Sequence, residues 1–174
     1  MSPITCTGTP SQIVVMGVTG CGKTTIGKLL GKALGLEFKD GDALHPQANK
    51  DKMSAGIPLT DEDRWPWLDQ VGQTLKMTGG VVVACSALKR KYRERILSAA
   101  PKAVFVQLQG DKELLRNRLN NRTNHFMPTS LLDSQLQTLE PLEMDETGVV
   151  VDVGGSESEI LKMVLTQLQI GHSI

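Results

Sequence analysis

Gly17-Val18-Thr19-Gly20-Cys21-Gly22-Lys23-Thr24 completes the pattern G-x-x-x-x-G-K-[ST], the Walker A phosphate-binding loop. Its flanks suit it. Ile13-Val14-Val15-Met16 reads as a buried strand, and Ile26, Leu29, Leu30, Ala33 and Leu34 recur on one face of a following helix. Glycines let the backbone curl so that successive N–H groups point at phosphate oxygens. The helix N-terminus adds partial positive charge, Lys23 reaches the β/γ-phosphates, and the Thr24 hydroxyl serves Mg²⁺. A strand before and a helix after make a chance match rare, so the chain is expected to bind a nucleoside triphosphate through residues 17–25, Thr25 included.

Composition narrows the class. A length of 174 residues suits one domain with its own core. Lys and Arg total 19, as do Asp and Glu, and no basic block stands out, so neither nucleic acid nor an anionic membrane is an expected partner. No apolar run approaches the roughly 18 residues of a spanning helix. Residues 1–11 are rich in Thr, Pro and Ser, lack the regions of a signal peptide, and are expected to be a flexible N-terminus ahead of a single domain at 12–174. Cys6, Cys21 and Cys85 lack metal-type spacing, which favours a reducing cytoplasm over a disulfide framework.

Strands and helices then alternate. Leu36–Lys39 reads as a short strand and Pro46–Ala55 as a short helix with proline at its first position. Thr60 and Asp63 resemble a capping box, while Pro66 delays regular helix until itself, to about Met77. Val81–Cys85 is a continuous apolar run suited to a doubly covered parallel strand. A basic helix is expected from about Leu88 to Ala99, a strand at Val104–Leu108, and helices at Lys112–Asn120 and Ser130–Leu139. A strand at Val149–Val153 follows. Ile160, Leu161, Val164, Leu165 and Leu168 form the inner stripe of a closing helix. Such alternation implies an α/β fold with a parallel sheet, its ligand beyond the carboxyl ends of the strands.

Chemistry-bearing residues fall at those ends. In Asp40-Gly41-Asp42, extended residues would turn both aspartates to one face, toward Mg²⁺ and an acceptor hydroxyl; the competing reading is an Asp/Gly turn. The apolar run at 81–85 ends in Ser86-Ala87 rather than the Asp that often helps hold Mg²⁺, so Asp40 is the economical carboxylate. Lys89 and Arg93, four apart near a helix start, are candidates for an acidic substrate, or else an ordinary solvated basic face. Arg116, Arg118 and Arg122 adjoin the polar segment from Asn121 to Thr129. A mobile lid carrying arginine is a recurrent clamp on phosphates, though Arg116 reads as solvated.

Several segments together resemble the gluconate kinase (gluconokinase) family: residues 16–24, Asp40-Gly41-Asp42-Ala43-Leu44-His45-Pro46, and the run from Lys52 to Arg64. Cys85-Ser86-Ala87-Leu88-Lys89-Arg90-Lys91-Tyr92-Arg93 and His125-Phe126-Met127-Pro128 complete the set. The likeness extends from about Gln12 to the closing helix. It implies ATP-dependent phosphorylation of the 6-hydroxyl of D-gluconate, giving 6-phosphogluconate. It also implies the three-layer phosphate-loop kinase fold of shikimate kinases: a five-stranded parallel sheet ordered 2-3-1-4-5 with helices on both faces. A substrate-side segment at about 43–64 and a mobile lid at about 121–130 go with it; relatives of this family are commonly dimers, so a homodimer is one expected state, which the sequence itself does not give.

Carried over by position, the resemblance gives Asp40 to Mg²⁺ through water and Asp42 to the attacking hydroxyl. Arg64, Lys89 and Arg93 would hold substrate, with His45, Lys52 and His125 as weaker candidates. Arg118 and Arg122 would serve adenine and the transferring phosphate. A kinase for another small hydroxy acid, such as shikimate, keeps the fold but fits the His45-Pro46 and His125–Pro128 segments less well. A regulatory GTPase module would need N-K-x-D late in the chain, and Asn49-Lys50-Asp51-Lys52 has the wrong order and place. Cys21, at the loop's helix end, is either a reactive thiol whose modification blocks ATP or a small residue filling space.

Overall fold

The computed structural model describes residues 10–77, 79–121 and 129–168. Five strands, β1 (Gln12–Met16), β2 (Glu37–Asp40), β3 (Val81–Ala84), β4 (Val104–Gln109) and β5 (Gly148–Asp152), form one parallel sheet ordered β2-β3-β1-β4-β5. This is the expected 2-3-1-4-5 order. The helices are α1 (Lys23–Leu34), α2 (Gln47–Ser54), α3 (Asp61–Leu75), α4 (Arg90–Ala99), α5 (Lys112–Asn120), α6 (Thr129–Thr138) and α7 (Glu157–Gln167).

Alternation along the central strand creates three layers. Ile13 and Val15 face a cluster with Ile26 and Leu30 of α1, Leu115 of α5, and Ile160 and Val164 of α7. Val14 and Met16 face the opposite cluster, with Trp67, Leu68, Val71 and Leu75 of α3 and Tyr92 and Ile96 of α4. With both faces covered, every residue of β3 is buried, as its apolar run requires. On α1 the stripe shifts slightly from expectation. Gly27 and Gly31 join Ile26 and Leu30 on the buried side, and Ala33 is exposed.

Local chemistry corrects several expected boundaries. Helix α3 starts at Asp61, not Pro66, because the Thr60–Asp63 capping box closes reciprocally and fixes the first turn. Pro66 lies inside, within two turns of that start. Helix α4 starts at Arg90, with Lys89 as its extended N-cap, and Pro46 caps α2 rather than opening it. The Asp40–Asp42 segment is not extended throughout. Asp40 ends β2, and Gly41–Leu44 turns into a short 3₁₀ helix capped by the Asp40 side chain.

That turn exists because Gly41 has no side chain. A Cβ there would fall inside 3.0 Å of the Ala84 carbonyl oxygen, an immovable backbone atom. Gly41→Ala is therefore expected to destabilise the fold by about 1–3 kcal/mol, the usual cost of overpacking. The readout is a lower urea midpoint at unchanged slope; a wild-type midpoint would contradict the close approach.

Candidate active site

The phosphate loop leaves the end of β1 and is tied down at few points. Gly17 N–H donates to Ser86 O (3.3 Å), Cys21 N–H to Val18 O (3.3 Å) and Ile26 N–H to Gly22 O (2.9 Å). Gly22 caps α1 in the left-handed region, at φ 94°, which a side chain would resist. Lys23 Nζ donates to Val18 O at 3.0 Å, folding the lysine over the loop. Thr19 N–H donates to the Gln135 side chain of α6 at 2.6 Å. Thr24 and Thr25 are exposed. Beside the loop lies a cleft of about 450 Å³ whose walls include Gly20, Gly22, Thr25, Arg118, Asn121 and Ser156. Arg118 is fixed there by donating to Val153 O at 2.5 Å.

Cys21 is fully buried. Its sulfur lies 2.8 Å from where a Cβ of Gly17 would stand, so it fills space beneath the loop. Of the two readings above, the space-filling one fits this burial.

Opposite the loop, Asp40 and Asp42 stand at the end of β2. An Asp40 carboxylate oxygen accepts from Asp42 N–H at 3.0 Å. The Asp42 carboxyl is pushed above the usual aspartate range, first by burial and then by the neighbouring Asp40 charge, with Lys23 pulling the other way. A carboxyl so raised is a better proton acceptor than an ordinary one. The Thr24 hydroxyl and the two carboxylates are hard oxygen donors that fit Mg²⁺, which keeps waters and shares substrate phosphates. Among the described residues no group of three or more His, Cys, Asp or Glu side chains forms a protein-only metal cage.

The described residues that the resemblance gives to the substrate stand at the 3₁₀ turn, on α2 and α3 and at the start of α4. Trp67 Nε1–H donates to Gly41 O at 2.8 Å, and the buried His45 ring stacks on Trp67 at 4.1 Å and 16°. Burial, Arg64 and Lys50 push His45 down to about 4, so it is neutral at pH 7. Asn49 donates to His45 Nδ1 (3.1 Å) and to Asp63 O (2.8 Å), which leaves the ring proton on Nε2. Lys52 pairs with Asp63 at 2.7 Å. That bond, with the Thr60 N–H, holds Asp63 at about 2.

Arg64 and Lys89 meet over the Tyr92 ring, at 5.4 and 5.7 Å from its centre. Between them stands Asp61, 3.8 Å from Arg64 and 4.0 Å from Lys89. Asp61 accepts from Lys91 and from the Tyr92 hydroxyl (2.5 Å), and those two bonds hold it at about 2. Sequence reasoning gave no role to Asp61 or Tyr92, although both lie in the quoted segments.

Arg93 does not join this group. It is fully buried, with Nε and Nη2 on the two Glu146 oxygens (2.6 and 3.0 Å) and Nη1 on Ala87 O (2.9 Å). The expected direct substrate contact is thus replaced by a structural one. Ala87 has φ 44°, the one positive value at a non-glycine among the described residues. Arg93 therefore steadies a strained turn between Ser86, which anchors the phosphate loop, and Lys89. Arg122 and His125, like residues 122–128 of the expected lid, lie outside the described residues.

A family model described as Shikimate kinase matches residues 19–169. The gluconokinase of Gluconobacter oxydans (strain 621H) is 48% identical over 152 residues, covering 85% of this chain and 84% of the relative. That of Arabidopsis thaliana is 41% identical over 180 residues, covering 92% and 95%. The crystal structure of a gluconokinase from Sinorhizobium meliloti 1021 superposes with TM-score 0.86 at 48% identity, covering 93% of both chains. A shikimate kinase from Aquifex aeolicus, at TM-score 0.57 and 17% identity, shares the fold.

The Arg93–Glu146 pair yields a test. Burial pushes the Glu146 carboxyl up, but the Arg93 hydrogen bonds and the Glu143 N–H outweigh it, and the net shift is downward. Its contribution to stability is therefore present above the usual glutamate pKa of about 4.3 and lost as pH falls through the lowered folded value. Glu146→Gln strands a buried guanidinium and should cost roughly 3–5 kcal/mol at pH 7. Urea unfolding should show that deficit narrowing below about pH 4. A deficit unchanged by acid would mean the pair does not act through charge.

Proposed function

The chain belongs to the gluconokinase family of phosphate-loop kinases, and we infer from that membership that it is an ATP-dependent gluconate kinase. It transfers the γ-phosphoryl group of ATP to D-gluconate. The observation that carries the reading is the likeness to gluconokinases over more than four-fifths of both chains. The site chemistry supports it, with a phosphate loop facing two aspartates and a group of cations beyond them.

Phosphoryl transfer asks for positioning and charge neutralisation more than covalent help. Residues 17–25 hold the triphosphate, and Lys23 leaves Val18 O to meet the β/γ-phosphates. Thr24 and Asp40 would hold Mg²⁺, which would supply neutralisation of phosphate charge. Asp42 orients the 6-hydroxyl of gluconate and accepts its proton, a role that suits its raised carboxyl. Arg64 and Lys89 bind the remote carboxylate, which fixes the reacting end. Lys52 and the neutral His45 complete the substrate side, and Arg118 borders the nucleotide cleft. Glucose would leave those cations unanswered and should be a poor acceptor. The product, 6-phosphogluconate, and a cytoplasmic site of action follow from the same reading. Among the described residues no helix is long and apolar enough to cross a membrane.

Coupled ADP release with Mg-ATP should appear with gluconate and not with glucose or shikimate; release with shikimate alone would move the acceptor assignment. Lys89→Ala should raise the gluconate KM about tenfold, the scale of one lost charged hydrogen bond, with little change for ATP. Asp42→Asn should lower kcat by roughly 10²–10⁴ and erase the acid limb of the pH–rate profile. A near-normal Asp42→Asn enzyme would remove that residue as the proton acceptor.

A further inference from the structure

Gln135 sits on α6, 116 residues from Thr19 in sequence, yet its amide oxygen accepts the Thr19 N–H at 2.6 Å. Among the described residues it is the one side chain outside the phosphate loop bonded to a loop N–H. An N–H must meet an acceptor, so the amide orientation is fixed by chemistry: Oε1 faces the loop. Nε2 carries two N–H groups and has no partner among the described residues. Gln135 is half-buried, so holding it in one rotamer costs side-chain entropy that a single neutral hydrogen bond barely offsets.

The remaining loop bonds sharpen the point. Gly17 and Cys21 N–H groups are taken by Ser86 O and Val18 O, and Gln135 takes Thr19. Gly20 and Gly22 N–H groups, with the first N–H groups of α1, have no protein acceptor among the described residues. Held and free N–H groups thus alternate along the loop, and the Thr19 N–H held by Gln135 is followed directly by the free N–H of Gly20.

We propose that Gln135 is a further nucleotide-binding residue, its amide oxygen fixing the crest of the loop at Thr19 and its amide N–H₂ donating to a phosphate of the bound nucleotide. One side chain thereby shapes the cradle and enlarges it. This rests on the nucleoside triphosphate reading of the loop.

The test is calorimetric binding of Mg-ATP and Mg-ADP without acceptor, together with steady-state kinetics. Gln135→Ala should weaken Mg-ATP binding about tenfold, the value of one hydrogen bond to a charged group, while the gluconate KM stays near wild type. Gln135→Glu keeps an acceptor for Thr19 but loses the donors and brings a negative charge to the phosphates, so it should bind more weakly than Gln135→Ala. Thermal melting guards against misfolding: both variants should melt like wild type without ligand and lose most of the shift that Mg-ATP produces. Wild-type affinity in Gln135→Ala, or recovery of affinity in Gln135→Glu, would overturn the proposal. Wild-type protein that bound no Mg-ATP would overturn the nucleotide reading, and this inference with it.

Discussion

Gly41 passes so close to the carbonyl oxygen of Ala84 that no side chain fits between them, and the geometry of the whole site depends on that approach. Asp40 is in register with Ala84, and Ala84 with Val15 of the central strand. Beyond that register, Cys85 N–H donates to Val15 O and Gly17 N–H to Ser86 O. A continuous ledge of backbone hydrogen bonds therefore runs across three strand ends, from the paired aspartates to the first glycine of the phosphate loop. Trp67 grips the ledge from α3 through Gly41 O. The position of Asp42 relative to the loop is set by main chain, which is stiffer than any side-chain pairing.

The acceptor side follows a different rule. Its cations are held by anions of the same chain before any substrate arrives: Lys52 by Asp63, and Arg64, Lys89 and Lys91 around Asp61. Both aspartates lie in the first turn of α3, where the helix favours negative charge. Partly exposed pairs of this sort add little to stability. Their value lies in orientation, since cations already aimed lose less freedom when a carboxylate binds. Three cations share Asp61, so it leaves positive charge over for an acidic ligand.

What the sequence revealed was local. The phosphate loop, the apolar strands and the Thr60–Asp63 cap are legible because each depends on neighbours within a few residues. The two aspartates were legible as a pair but not in conformation, because the 3₁₀ turn answers to Ala84, far along the chain. Arg93 was misread for the same reason. Nothing near it indicates that Glu146, 53 residues on, will take its guanidinium. Cys21 was open to two readings, a reactive thiol or a residue filling space, and packing shows it to be sealed in. Pro66 suggested a delayed helix until the cap outweighed it. Gln135 carries no local signal at all.

These pairings also set Asp42 apart from the carboxyls of α3. Asp61 and Asp63, held at about 2, stay ionised across the neutral and mildly acidic range. His45, pushed to about 4, stays neutral there. Burial first, then the Asp61 hydrogen bond, lift Tyr92 to about 12, and burial lifts the Cys85 thiol as far, so both keep their protons. Between these fixed charges, Asp42 is the carboxyl moved toward neutrality, by its own burial and by Asp40. Asp61, Asp63 and His45 thus hold a constant charge pattern, while Asp42 is shifted the opposite way. The shifts differ in direction because the two sets of carboxyls sit in opposite surroundings: Asp61 and Asp63 among cations, and Asp42 in a buried turn beside another acid.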